Sequence, residues 1–284
     1  MGDSQILITG ANGQLGRALS EIYPGAHKTD SAELDITDGE ALKKYSWRGI
    51  KAILNAAAYT NVDGAETPEG KVIAWNVNDE AVGNLADLAQ KNNLLLVHTS
   101  TEYVFDGQKK EPYKELDDPS PLGEYAKTKA AGDKQAAKAP KHYIVRTSWV
   151  VGDGKNFVRT MLGLGQKGVE PKVVNDQIGR PTFTTELAKA IKFLIDNNAP
   201  YGTYNVTNEG EPVSWADLTR SIFSEAGYNL KVTDTSTVEY FADKPEAAKR
   251  PLNSVLDLSK IEALGFKSHD WSESLAEYIK KEVS

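Results

Sequence analysis

Apolar residues in this chain gather in short runs separated by helical stretches, and the alternation repeats through the first half. Gln5–Thr9 is an apolar run that stops at Gly10, and Gln14–Tyr23 carries the three-to-four spacing of an amphipathic helix. Ala26–Asp30 reads as a weak strand, and Asp38–Tyr45 as a helix with Thr37 placed to cap it. Ala52–Ala58 is a strong strand. Asn76–Asn92 is helical, with Asn76 as its cap and Ala81, Leu85 and Leu88 on one stripe. Leu94–Thr99 is nearly all apolar, as a parallel strand buried on both faces should be. Pro121–Ala139 is again helical and Tyr143–Val150 again a strand. This order predicts an α/β fold on a doubly wound parallel sheet.

Past residue 150 the rhythm changes. Helices are expected at Asn156–Leu164 and Glu186–Asn197, with Lys172–Val174 a short strand between them. Tyr204–Thr207 reads as a further strand, and Ser214 is placed to cap a helix over Trp215–Ala226. Helices near Ser259–Leu264 and Ser272–Glu282 complete the tail. These segments predict a smaller lobe interleaved with the last elements of the sheet, so that its boundary is discontinuous.

Composition narrows the function. The 284 residues carry a net charge of −7 without a long Lys/Arg run, which opposes a nucleic-acid role. Zero cysteines exclude disulfide and thiol chemistry and fit a reducing compartment. No run approaches the ~18 apolar residues of a membrane span, and the N-terminus reads as a strand, not a signal peptide. The expectation is a cytoplasmic protein with no membrane partner. Four dispersed histidines lack metal-ligand spacing, so no metal site is expected.

The chemistry concentrates at three places. Gly10, Gly13 and Gly16 follow a strand and open a helix, the context in which backbone can approach a pyrophosphate. Asp30, twenty residues after Gly10, is placed for the adenosine ribose, and Asp35 and Ile36 for the border of the adenine. The small residues before Tyr59 leave room for a flat ligand. Ser100 and Thr101 lie at the carboxyl end of a strand, where such sheets bind ligands. Tyr125 and Lys129 are one helical turn apart, so an ammonium could lower the phenol towards neutral pH and make a proton donor. A solvated helix face would give the same spacing by chance; the order of glycine turn, hydroxyl and YxxxK separates the two readings.

With Gly10/Gly13/Gly16, Thr101 and Tyr125/Lys129 in this order, the chain resembles the extended short-chain dehydrogenase/reductase family. The resemblance narrows to its dTDP-4-dehydrorhamnose reductase branch. It does so on Leu34-Asp-Ile-Thr37, Asn55–Glu66, Ser100–Phe105, Arg146–Val150, Asn175–Thr182 and Arg250–Ser254. The family implies a Rossmann-type cofactor domain, 1–150 with 176–207, and a substrate-binding lobe, 151–175 with 208–284. It implies reduction of the C4 ketone of dTDP-4-dehydro-6-deoxy-L-mannose to dTDP-L-rhamnose, a cell-surface polysaccharide precursor. Tyr125 would protonate the C4 oxygen, Lys129 would hold the nicotinamide ribose, and Thr101 would hydrogen-bond the reacting oxygen.

By position, Gly10, Gly13, Gln14, Leu15, Asp30, Asp35 and Ile36 would line the dinucleotide. Ala57, Ala58, Tyr59, Thr60 and Thr99 would continue that lining. Val62, Glu102, Tyr103 and Trp149 would border the sugar nucleotide, with Asn175, Gln177, Arg180 and Arg250. Glu102 stands where Asp is commoner. Ala18 stands where some relatives carry a Glu that binds magnesium between subunits, so a monomer or weak dimer with no metal bridge is expected. Asp30 opposes a 2′-phosphate while Lys28 and Ser31 could accept one, so use of both NADH and NADPH is expected. Another nucleotide-sugar reductase or epimerase of the same family, and a non-catalytic regulatory subunit that binds cofactor, are the alternatives.

Overall fold

A computed structural model describes residues 1–283. The chain opens with β1 (Ile6–Thr9), α1 (Gln14–Ile22), β2 (His27–Thr29), α2 (Gly39–Lys44) and β3 (Ala52–Asn55). Helices α3 (Pro68–Trp75) and α4 (Ala81–Lys91) lead to β4 (Leu95–Thr101), α5 (Glu124–Ala136) and β5 (His142–Thr147). The second half adds β6 (Val150–Val151), α6 (Phe157–Gln166), β7 (Lys172–Val174), β8 (Ile178–Gly179), β9 (Thr182–Phe183) and α7 (Thr184–Asp196). It ends with β10 (Gly202–Asn205), β11 (Val213–Ser214), α8 (Trp215–Glu225), β12 (Thr233–Thr235), α9 (Thr237–Tyr240), α10 (Ser259–Glu262) and α11 (Trp271–Val283).

Six strands form one parallel sheet in the order β10-β5-β4-β3-β1-β2. The chain builds outward to β2, then returns across β1 to β3, so the sheet reverses its direction of growth between β1 and β3. Ligands of such sheets sit at the carboxyl ends beside that reversal. Alternation along the strands decides the two faces. Ile6 and Ile8 pack against Leu15 and Leu19 of α1 and Leu187 and Ile191 of α7. Leu7, Ile53 and Leu96 face the other way, against Leu42 of α2 and Val82 and Leu85 of α4. A third core joins α6, α8 and α11 through Val158, Leu162, Leu218, Phe223, Leu275 and Ile279.

Several boundaries differ from those the pattern predicts. Asp38, not Thr37, caps α2 by accepting from the amides of Glu40 and Ala41; the Thr37 hydroxyl donates to Asp35 instead. Strand β3 ends at Asn55, opposite the last residue of β1: the Ala56 amide still donates to the Thr9 carbonyl, but β1 turns away at Gly10 and the pairing goes no further. Strand β4 runs on to Thr101, since β5 continues beside it. Asn76 caps nothing. Thr67 caps α3, and the helical backbone passes through a π turn at Asn76–Glu80 into α4.

That π turn matters for the site. It aims the buried Asn78 side chain at Tyr59, accepting from its amide at 2.9 Å and donating to its carbonyl at 3.0 Å. Asn78 also donates to the Thr128 hydroxyl of α5, and a Cβ on Gly132 of α5 would stand 2.1 Å from the Asn78 carbonyl. Helix α5 therefore seats where it does only with glycine at 132. Gly132→Ala should destabilise by about 1–3 kcal/mol, the usual cost of overpacking. Gly163→Ala, in α6 with nothing within 4 Å of the new methyl, should stabilise by about 0.5–1 kcal/mol. Urea unfolding midpoints check both, and equal effects at the two sites would contradict this account of α5.

Candidate active site

Helix α5 delivers two of the expected residues to one point. Lys129 is 2% exposed, and its Nζ donates to the Thr99 carbonyl of β4 at 2.7 Å. Burial pulls its pKa down to about 8, while the Asp133 carboxylate one turn along works the other way. Tyr125 is partly buried one turn before it, with its ring edge-on to Tyr103 at 5.8 Å. The sequence suggests that Lys129 lowers the Tyr125 phenol. In the structure the phenol stands above its ordinary value, raised by burial and then by the Glu102 carboxylate, with the Thr101 hydroxyl opposing. The Lys129 ammonium is turned to the Thr99 carbonyl. A raised phenol keeps its proton at neutral pH, which is the state a donor needs.

Thr101 ends β4, and Glu102 and Tyr103 begin the turn that follows. The Thr101 hydroxyl donates to the Glu102 carboxyl at 2.7 Å and accepts from the Tyr103 amide at 3.2 Å. Glu102 is 3% exposed. Burial pushes its pKa up to about 7, against the pull of hydrogen bonds from Thr101 and Ser254.

Next to these residues opens a cavity of about 740 Å³, lined by Tyr103, Asp63, Gln177, Trp215, Lys244 and Arg250 among others. Trp149 reaches it through Trp215, on which it stacks at 3.5 Å. Trp149 holds a left-handed φ of +47°, strained for so bulky a residue, and its ring lies where a Cβ on Gly179 would fall. Arg250 donates to both oxygens of Asp63 at 2.8 and 2.9 Å. Burial alone would raise the Asp63 carboxyl, but Arg250 and the Ala248 amide outweigh it and hold it below the ordinary range.

The glycine turn fits a dinucleotide. Gly10 has φ +66°, and a Cβ there would stand 2.6 Å from the Ala57 amide nitrogen; on Gly16 it would stand 2.1 Å from the Gly10 carbonyl. Gly13 caps α1 without a side chain, so first-turn amides are left for an anion. Gln14 offers only backbone here, because its side chain accepts from Gly152 and donates to the Lys155 carbonyl. Leu15 and Ile36 are buried in the cores on opposite faces of the sheet. Asp30 accepts from the Asn12 and Ser31 amides, and Asp35 from the Thr37 amide. Ala57, Ala58, Tyr59 and Thr60 run past the reversal point, held at Tyr59 by Asn78. Val62 is half-buried beside Asp63.

Of the expected substrate residues, Tyr103, Gln177 and Arg250 line the cavity and the others do not. Arg180 donates to the Gly210 and Leu256 carbonyls and does not line the cavity. Asn175 is exposed at the end of β7 and is likewise outside it. Four residues that sequence reasoning missed support the site. Asn78 fixes Tyr59, and Asp63 engages Arg250. Asp133 pairs with Arg146 at 3.1 Å inside the protein. His98 is buried behind Lys129, its Nδ1 facing the Asn55 amide at 3.2 Å. Asp133 was findable: it extends the Tyr125–Lys129 stripe by one more turn.

A family model described as the RmlD substrate binding domain matches residues 4–284. A protein of Aggregatibacter actinomycetemcomitans named dTDP-4-dehydrorhamnose reductase is 41% identical over 96% of this chain and 97% of its own. A crystal structure of a dTDP-4-dehydrorhamnose reductase from Clostridium acetobutylicum superposes with a TM-score of 0.91 at 41% identity, covering 98% of this chain and 99% of that one. Another, from Bacillus anthracis in complex with NADP, gives 0.88 at 36% identity over 97% of each chain.

Glu102 ties the site to stability. Its folded pKa, about 7, lies above the ordinary 4.5, so its contribution is complete below about 4.5 and is lost as pH rises through 7. Glu102→Gln cannot ionise. Between pH 4.5 and 8 the wild type should therefore lose stability relative to Glu102→Gln, by up to about 3 kcal/mol at ~1.4 kcal/mol per unit. Denaturant titrations of both proteins measure this, and a difference constant across that range would contradict it.

Proposed function

The chain belongs to the RmlD substrate binding domain family, and on that premise we propose that it reduces the C4 ketone of dTDP-4-dehydro-6-deoxy-L-mannose to dTDP-L-rhamnose. One observation supports the reading: the Thr101 hydroxyl and the Tyr125 phenol are neighbours, and Lys129, one turn along α5, reaches the Thr99 carbonyl two residues before Thr101. Gly10, Gly13 and the amides opening α1 would hold the pyrophosphate of a nicotinamide dinucleotide, and Lys129 has donors beyond the one given to Thr99 for a ribose. When bound in reduced form, that cofactor supplies the hydride equivalent.

The remaining chemistry belongs to the chain. Tyr125 carries a proton that burial secures, and gives it to the ketone oxygen as that oxygen becomes an alkoxide. Thr101 offers a hydroxyl to the same oxygen, which steadies the developing charge. Trp215, backed by Trp149, walls the cavity, and Arg250 lines it, where a diphosphate can compete for the guanidinium that Asp63 holds.

Turnover with dTDP-4-dehydro-6-deoxy-L-mannose against the matching UDP and GDP sugars tests the substrate. Tyr125→Phe should fold and bind cofactor while kcat falls ~10²–10⁴-fold, the usual worth of a positioned proton donor. Lys129→Met should also raise the cofactor KM, and the double variant should lose far less than the product of the singles. Tyr125→Phe retaining more than about a tenth of wild-type kcat would sink the assignment.

Both NADH and NADPH should serve. Asp30 opposes a 2′-phosphate, yet its carboxylate is engaged by the Asn12 and Ser31 amides, and Lys28 stands two residues before it. A kcat/KM preference above about a thousandfold for either cofactor would contradict dual use.

A further inference from the structure

A hydroxyl has one proton to give and two lone pairs to receive. At Thr101 the Tyr103 amide fills one lone pair, the Glu102 carboxyl lies at 2.7 Å, and the Tyr125 phenol is a third neighbour of the hydroxyl. An ionised carboxylate only accepts, so it commits the single Thr101 proton to itself. A protonated carboxyl can instead donate across the same contact into the second lone pair. The Thr101 proton is then free for another acceptor. We propose that Glu102 is a positioning residue acting through Thr101: only with its carboxyl protonated can Thr101 donate to the ketone oxygen of the substrate. The proposal rests on the ketone-reduction reading and deepens it.

The surroundings of Glu102 favour the neutral form. The groups facing it are the Thr101 hydroxyl and the Tyr103 phenol from its own segment, the Tyr125 phenol from α5, and the Ser254 hydroxyl from the C-terminal segment. The nearby cations are directed elsewhere. Lys129 is turned to the Thr99 carbonyl, and Arg250 is held by Asp63 and bears on the Tyr103 phenol. A carboxyl buried among hydroxyls without a facing cation resists ionisation.

The test is the pH profile of kcat/KM for dTDP-4-dehydro-6-deoxy-L-mannose. In the wild type it should fall above a midpoint near 7, on the order of tenfold between pH 6 and 8.5. Glu102→Gln keeps the shape, cannot ionise, and carries N–H donors for the Thr101 lone pair. Its profile should lose the limb near 7 and bend only near 8, where Lys129 titrates. The cofactor KM should show no limb near 7 in either protein. A limb that persists near 7 in Glu102→Gln overturns the proposal. So does a variant that binds cofactor yet is inactive at every pH, because the carboxyl would then be needed as an acid.

Should Glu102→Gln fail to fold, Thr101→Val is read in the same way. Without a hydroxyl to direct, the limb near 7 must vanish from its residual activity, and its persistence overturns the proposal. Infrared spectra without substrate separate the two levels of the argument. A neutral carboxyl band absent at pH 6 fails this proposal. A band that titrates near 7 in a protein turning over no 4-keto sugar nucleotide fails the functional reading instead.

Discussion

The site depends on one buried cation. Lys129 holds its ammonium out of water against the Thr99 carbonyl, an arrangement that costs free energy unless hydrogen bonds and a counter-charge offset it. Asp133 supplies the counter-charge from the next turn of α5, and Arg146 of β5 keeps Asp133 in place. The charges thus run inward from the ligand side to the sheet. This fixes where α5 can lie, because Lys129 must reach the end of β4 while Asp133 reaches β5. The glycine at 132 removes the one contact with the π turn that would push the helix away.

From that seat follows the division of labour around the carboxyl ends of the sheet. Strands β1 and β3 separate at their ends and offer backbone: the Gly10 turn on one side, and residues 56–60 on the other. Strand β4 continues two residues past the 94–99 run and offers side chains, Thr101 and then Glu102. The cavity lies beyond, walled by Trp215 of α8 from the third core and by Gln177 from the loop before β8. On the proposed reading, cofactor and substrate would meet surfaces built from different kinds of atom. Backbone amides recognise a pyrophosphate shared by many ligands, whereas aromatic and charged side chains can select among sugar nucleotides.

Much of this was legible in the residues, and what was not has physical causes. Periodicity reports which face is buried, so the sheet strands and the helices α1, α5 and α8 could be read from it. It does not report where a ladder partner ends, so β3 was read too long and β4 too short. The π turn is invisible to a 3.6-residue pattern, and Asn76 was taken for a cap when it lies inside a continuous helical backbone. At the site, Thr101, Tyr125 and Lys129 stood out by order and spacing. Motif alone points Arg180 and Asn175 to the substrate; in the structure the Arg180 guanidinium goes to the Gly210 and Leu256 carbonyls, and Asn175 is exposed after β7. The short strand pairs β8–β11 and β7–β12 join residues far apart in the chain, which local patterns cannot foresee.

Burial acts on all three ionisable groups of the site in one sense. It lowers Lys129, raises Tyr125 and raises Glu102, each towards its uncharged form. For a reaction that could run either way, this is not neutral. Oxidising an alcohol needs a phenolate to take the hydroxyl proton, whereas reducing a ketone needs a phenol to give one. A phenol that is neutral at rest starts with the proton that reduction spends, and the phenolate left behind is an anion that the Lys129 ammonium one turn along α5 can stabilise. With the ammonium turned to the Thr99 carbonyl, the resting phenol keeps its proton until a ketone arrives.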